Sequence, residues 1–284
     1  MIAVNNLEFT YPKSTSQTIR GITFSIHPGE IFGFLGPSGA GKSTLQNILI
    51  GMLKGYRGDV YIGQQELRTI HRDFFKNIGV AFEFPNFYSK FTVLENLHFF
   101  GSLYSKELKD PFQLLAMVGL EDHAHTRFSN LSKGMKMRLN FCRALLHDPS
   151  ILFLDEPTSG LDPRNKEGMK EMIRKQQEEG KTIILTTHDM QVADDLCDRV
   201  AFIVDGHIKL IDTPRNLKLQ YGKKIVRIEY RDNANLTNWD FDLRKIGSNP
   251  AFLNLIQEKE IETIHSQETT LGKVFIDVTG TALI

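Results

Sequence analysis

Nine consecutive residues, Gly36-Pro37-Ser38-Gly39-Ala40-Gly41-Lys42-Ser43-Thr44, hold the densest chemistry in the chain. They fit the spacing G-x-x-x-x-G-K-[ST], with an apolar strand-like run over 31–35 before them and a helical pattern over 42–53 after them. Glycines at 36, 39 and 41 let the backbone curl until several N–H groups point inward, a cradle for phosphate oxygens. The N-terminal end of the following helix adds partial positive charge, Lys42 adds a full one, and Ser43 offers a hydroxyl of the kind that holds Mg2+. The bland alternative is a glycine-rich structural turn; the full spacing with both flanks correct weighs against it.

A second apolar run, 151–154, ends in Asp155 and Glu156. Such a strand carries its last residues to the carboxyl edge of a sheet, where open α/β sheets bind ligands. Asp155 is then placed to hold Mg2+, directly or through water, and Glu156 to polarise a water that attacks a γ-phosphorus. Between these segments Leu131-Ser132-Lys133-Gly134-Met135 opens another helical pattern. Ser132 and the Gly134 backbone would make an anion site at its N-terminus, or Ser132 would simply cap the helix.

The elements that must position these groups alternate. Strands are expected over 4–10, 21–27, 31–35, 151–154, 182–186 and 200–204, and helices over 42–53 and 163–179. Residues 74–147 read mostly helical, with apolar residues at helical spacing over 93–104, 111–117 and 134–147, and Val93, Leu97 and Phe100 on one face. Strands alternating with helices predict a parallel sheet covered on both faces. Asp205-Gly206 predicts a hairpin turn to a strand over 208–211. After residue 222 the texture changes to strands over 224–230 and 261–265 and helices over 252–258 and 271–278, with no phosphate motif.

Lys plus Arg and Asp plus Glu are 34 each, so net charge gives no electrostatic case for nucleic acid as a partner. The longest apolar stretch, 31–53, is broken by the glycines and Lys42 and cannot span a bilayer, so a membrane role would fall to another chain. Cys142 and Cys197 form no framework, which fits a reduced compartment.

In order and spacing these segments resemble the ATP-binding-cassette ATPases over roughly residues 1–215. Residues 131–135 stand where that family usually has Leu-Ser-Gly-Gly-Gln, with Lys133 for the first glycine and Met135 for the glutamine. The resemblance implies an α/β P-loop core with an antiparallel N-terminal β subdomain, a parallel central sheet and a helical insertion. It implies an ATP-binding domain over 1–221, the insertion spanning about 84–147, and a small α+β appendage over 222–284. ATP and Mg2+ are the implied ligands, and hydrolysis of ATP the implied reaction. Tyr11 would stack on adenine, and Ser132 and Gly134 would cap the γ-phosphate held by the other subunit of a head-to-tail homodimer. Residues 159–162, ending in Asp162, resemble the loop that crosses the dimer interface, and 186–189 resemble the switch segment whose histidine, His188, contacts the γ-phosphate.

One position departs. The family usually has a glutamine where Glu83 stands; a carboxylate can ligate Mg2+ or its water but cannot donate an amide hydrogen bond. The C-terminal segment resembles bacterial drug-export and natural-product-resistance subunits. That implies a cytoplasmic chain held at the inner membrane face by a separate permease, whose docking place would be the aromatic-rich stretch 84–100.

Overall fold

The computed structural model describes residues 1–70, 72–105, 107–232 and 235–281, and the chain divides into two compact units, Met1–Thr213 and Pro214–Thr281.

In the first unit, strands β1 (Ile2–Phe9) and β2 (Ile19–Ile26) lead into β3 (Ile31–Leu35) and helix α1 (Lys42–Leu49). Strands β4 (Arg57–Ile62), β5 (Gln65–Glu66) and β6 (Ile78–Ala81) follow, then helices α2 (Val93–Gly101), α3 (Pro111–Met117) and α4 (Lys133–Leu145). The remainder is β7 (Ile151–Asp155), α5 (Pro163–Glu178), β8 (Thr182–Thr187), α6 (Met190–Leu196), β9 (Arg199–Val204) and β10 (His207–Asp212).

These strands make an antiparallel sheet, β2-β1-β4-β5, and a six-stranded sheet, β10-β9-β3-β8-β7-β6, parallel except for its β10 edge. The expected α/β P-loop core is therefore present. All of β3 and β8 is buried, as central parallel strands covered on both faces must be. In β1 the apolar residues Ile2, Val4, Leu7 and Phe9 all reach the core because the register shifts around Asn6, whose φ of 47° adds the extra residue. Phe24 of β2 meets Phe32 and Phe34 of β3 at centroid distances of 5.9 and 5.1 Å, joining the two sheets through one core. The Asp205-Gly206 turn forms as expected, with φ of 50° and 75°, the double left-handed geometry of a two-residue hairpin.

The middle of the unit differs from the helical reading. Residues 78–81 form β6, a short parallel edge strand on β7, and 82–92 are non-helical. A four-residue strand is too short to show a period of its own. Helix α2 begins at a capping box, Thr92 with Glu95, and ends at Gly101 rather than at residue 104. Val93 and Leu97 are fully buried, whereas Phe100 turns to a surface groove instead of sharing their core.

The second unit contains α7 (Pro214–Tyr221), β11 (Ile225–Asp232), β12 (Asn235–Asp242), α8 (Pro250–Glu258), β13 (Glu260–Ser266) and α9 (Leu271–Thr279). Its antiparallel sheet, β12-β11-β13, packs Val226, Ile228 and Phe241 with Leu255 of α8. Its other face carries the ion pairs Arg227–Asp240 and Arg231–Glu262. Helix α7 packs on α9, which ends at Gly280 in the left-handed region.

Candidate functional site

The glycine-rich loop runs from β3 into α1. Gly36 is pressed so closely on β9 that a Cβ there would lie 2.1 Å from the Ile203 carbonyl oxygen. Gly41 caps α1 at φ 106°, a conformation that a side chain would strain. Lys42 Nζ donates to the Gly36 and Pro37 carbonyls at 2.6 and 3.0 Å, which holds the ammonium inside the loop it serves. Burial pulls its pKa down; the charges of Glu156, Asp155 and Glu83 pull it back up.

A cavity of 440 Å³ opens over this loop, and Ser38, Gly39, Gly41, Lys42, Ser43, Thr44, Glu83, Asp155, Glu156 and His188 line it. The motifs meet because β7 and β8 are neighbours in register, with Asp155 opposite Thr186. Thr186 donates its hydroxyl to Asp155, whose pKa is raised chiefly by burial and further by the charge of Glu156. Glu156 is buried and sits at φ 48°, a strained backbone for a residue with a side chain. Both of its carboxylate oxygens are held by residues 187 and 188. Oε2 accepts from the Thr187 hydroxyl at 3.0 Å; Oε1 accepts from the His188 backbone N–H at 2.9 Å and lies 2.7 Å from His188 Nδ1. The His188 side chain itself is 60% exposed, so one imidazole links a buried carboxylate to the open cavity.

Other expected residues lie outside this cavity. Gly36, Pro37 and Ala40 form the back of the loop, where Ala40 O accepts from Gly206 N–H at 3.1 Å. Tyr11 lies just past the end of β1, its ring edge-on to Phe9 at 4.9 Å and its hydroxyl 3.0 Å from Thr44 Oγ1. Ser132 caps α4, accepting from Met135 N–H at 3.2 Å, and Asp162 caps α5 by accepting from Asn165 N–H at 3.0 Å. These two helix starts touch: the Lys133 side chain covers Gly160, and Leu161 packs 3.3 Å from the Cβ position of Gly134.

Four side chains have roles that the sequence reading did not assign them. Thr187 orients Glu156; the run Thr186-Thr187 before His188 was the available signal. Thr18 lines the cavity from the loop after β1, with no signal beyond its place in a Ser/Thr-rich turn. Lys166 of α5 pairs with Asp189, which caps α6, and Lys170 pairs with Asp195 at 2.6 Å. This ladder ties the helix that starts at Asp162 to the segment that carries His188.

The donor set suits a hard cation. Ser43, Asp155 and Glu83 are all oxygen donors around one cavity, and burial of Asp155 beside Glu156 leaves negative charge that a cation would relieve. Among the described residues no three acidic, His or Cys side chains converge into a ready-made cage. Mg2+ suits such a site, since it takes one or two carboxylates and completes its shell with phosphate oxygens and water.

A second cavity, an apolar groove of 780 Å³, lies beside the first. Phe82, Phe87, Tyr88, Phe100, Leu103 and Tyr104 line it.

Fold and site together define a P-loop nucleoside-triphosphate hydrolase. The family model described as "ABC transporter" matches residues 19–159, and the one described as "Fluoroquinolone efflux ABC transporter C-terminal domain" matches 224–268. Over all 284 residues the sequence is 50% identical to the fluoroquinolones export ATP-binding protein of Mycobacterium tuberculosis, covering 94% of that protein. Nod factor export ATP-binding protein I of Rhizobium meliloti is 40% identical over 210 residues, 72% of this chain and 63% of that one. A solved dimeric ATP-binding cassette in a post-hydrolysis state with ADP and phosphate superposes with a TM-score of 0.68 at 29% identity, covering 75% of this chain and 98% of that one. The chain belongs to the ABC transporter family, as an ATP-binding and ATP-hydrolysing subunit. Among the described residues no helix is long and apolar enough to cross a membrane.

Proposed function

We propose that this chain drives export of fluoroquinolone-type drugs or other small hydrophobic compounds by hydrolysing ATP as a head-to-tail homodimer on a separate membrane permease. The observation that carries the reading is likeness along the whole chain, C-terminal unit included, to a protein named for fluoroquinolone export. Dimeric solved relatives support the homodimer. The chain would sit on the cytoplasmic face of the membrane, held by the permease.

In this reading the loop backbone of 36–44 and Lys42 hold the β- and γ-phosphates. Ser43 and Asp155, with Glu83, would hold Mg2+, which when bound neutralises phosphate charge and polarises the γ-phosphoryl group. Glu156 accepts the proton of the attacking water, with Thr187 and His188 keeping its carboxylate aimed. Tyr11 supports the adenine side. Ser132, Gly134 and Asp162 act across the dimer, on the partner's nucleotide. The aromatic groove takes the permease: it is apolar and rich in aromatic anchors, which suits a hot spot.

The test is drug accumulation in a susceptible host expressing this chain with its membrane permease. Fluoroquinolone accumulation should fall several-fold and return to the control level with Lys42→Ala. Unchanged accumulation with both proteins expressed would overturn the cargo assignment.

A further inference from the structure

Phe82 and Glu83 are adjacent residues that serve different cavities. Phe82 lines the aromatic groove, and Glu83 lines the phosphate cavity. Strand β6 has ended at Ala81 and no regular element begins until Val93, so the sheet does not hold this stretch. Helix α4 holds it. Asn140 Nδ2 donates to the Phe82 carbonyl at 2.7 Å, and Arg143 Nη1 donates to the Asn86 carbonyl at 2.9 Å. Arg143 Nη2 donates to Asn140 Oδ1 at 2.8 Å, which locks the two grips together. Spaced three apart, the two side chains share one face of α4 and clamp the backbone on both sides of Glu83.

The same guanidinium is packed by the groove. Its carbon lies 4.9 Å from the Phe87 ring centroid and 5.1 Å from that of Phe100. Burial lowers the Arg143 pKa, and its bonds to Asn86 and Asn140 and its contacts with the rings offset the cost of keeping it charged. A guanidinium is planar, with donors fixed in a fork. An occupant that shifts Phe87 or Phe100 therefore tilts the fork, and the Asn86 and Phe82 carbonyls must follow.

We propose that Arg143, acting through Asn140, is a positioning residue that sets the Glu83 carboxylate at the phosphate cavity according to how the aromatic groove is packed. This rests on the reading of Glu83 as a group that reaches Mg2+ or its water.

The test uses the purified full chain with Arg143→Met, Arg143→Lys and Asn140→Ala, each alone and with Glu83→Gln. Two readouts are taken: the Mg2+ concentration for half-maximal ATP hydrolysis, with KM and kcat, and hydrogen exchange of the backbone amides over 82–88. Arg143→Met and Asn140→Ala should each shift the Mg2+ midpoint by about threefold or more, the size expected for residues linked in one network. Glu83→Gln should then add no further shift in either background, and the 82–88 amides should exchange faster than in the parent. Arg143→Lys keeps the charge without the fork and should resemble Arg143→Met. Should Arg143→Met fail to fold, Asn140→Ala carries the test, because it releases the Phe82 carbonyl with the arginine still in place. If Glu83→Gln shifts the midpoint but its effect simply adds to that of Arg143→Met or Asn140→Ala, the inference is wrong and the Glu83 reading stands. If Glu83→Gln leaves the parent's Mg2+ curve unchanged, the Glu83 reading falls and the inference falls with it.

Discussion

Tyr88→Ala separates packing from docking at the groove. The Tyr88 ring is 48% exposed and stacks on Phe91 at 5.1 Å and edge-on to Phe99 at 4.7 Å. Aromatic pairs of this kind contribute roughly 0.5–1.5 kcal/mol each, and exposure puts both near the low end, so the fold should lose about 1–2 kcal/mol. For a domain of this size that lowers Tm by only about 2–8 °C. The backbone stays in place, because Asn96 accepts from Tyr88 N–H at 2.9 Å and donates to its carbonyl at 3.1 Å. A docking anchor is worth more to its partner: loss of a hot-spot ring costs about 2 kcal/mol or more, roughly 30-fold in Kd. The assay is equilibrium binding of the purified chain to the detergent-solubilised permease, after thermal melting has verified the fold. Phe112→Ala is the control, since this exposed ring on α3 lies outside the groove. Folded Tyr88→Ala that binds the permease like the parent would refute the docking assignment, as would an equal loss in Phe112→Ala.

Two further outcomes follow from the phosphate cavity. Tyr11→Phe removes the hydrogen bond to Thr44 but keeps the ring, so KM for ATP should rise by less than about tenfold, within the worth of one hydrogen bond; Tyr11→Ala should raise it further with kcat little changed, and steady-state kinetics of both decide whether the ring or only its hydroxyl matters. Because the Asp155 pKa is raised in the folded protein, the native state holds that proton longer than the unfolded chain. Its contribution to stability therefore falls as pH rises from the ordinary carboxylate value through the raised one. Asp155→Asn should abolish hydrolysis and melt above the parent at neutral pH, with the gap closing in acid; a variant that melts below the parent throughout would contradict the burial argument.

Much of the site was legible because its chemistry is local. The loop of 36–44 carries its own spacing, and Asp155-Glu156 and Thr187-His188 each stand at the end of a short buried strand. Two such strands adjacent in one sheet must bring their last residues together, which is what the pairing of Asp155 with Thr186 does. The grips of Asn140 and Arg143 on 82–86 join residues nearly sixty apart, and no periodicity signals such a contact. Strand β12 was hidden for a different reason: of its eight residues only Phe241 is buried, so no alternation appears. Helical spacing puts Phe100 on the face of Val93 and Leu97, yet what it meets is Phe87 of a loop, whose path the sequence does not set.

The central claim is that Glu156 activates the attacking water, and Glu156→Gln tests it most directly. The amide keeps one acceptor oxygen for the His188 backbone N–H, and its NH2 can donate to the Thr187 hydroxyl oxygen, so the strained turn and the cavity should persist. It cannot take up a proton. Single-turnover hydrolysis by the purified variant, with nucleotide occupancy and oligomeric state measured on the same sample, should show ATP retained in a dimer and turnover reduced roughly 10²–10⁴-fold. Turnover near the parent's, in a folded variant that binds ATP, would contradict the account.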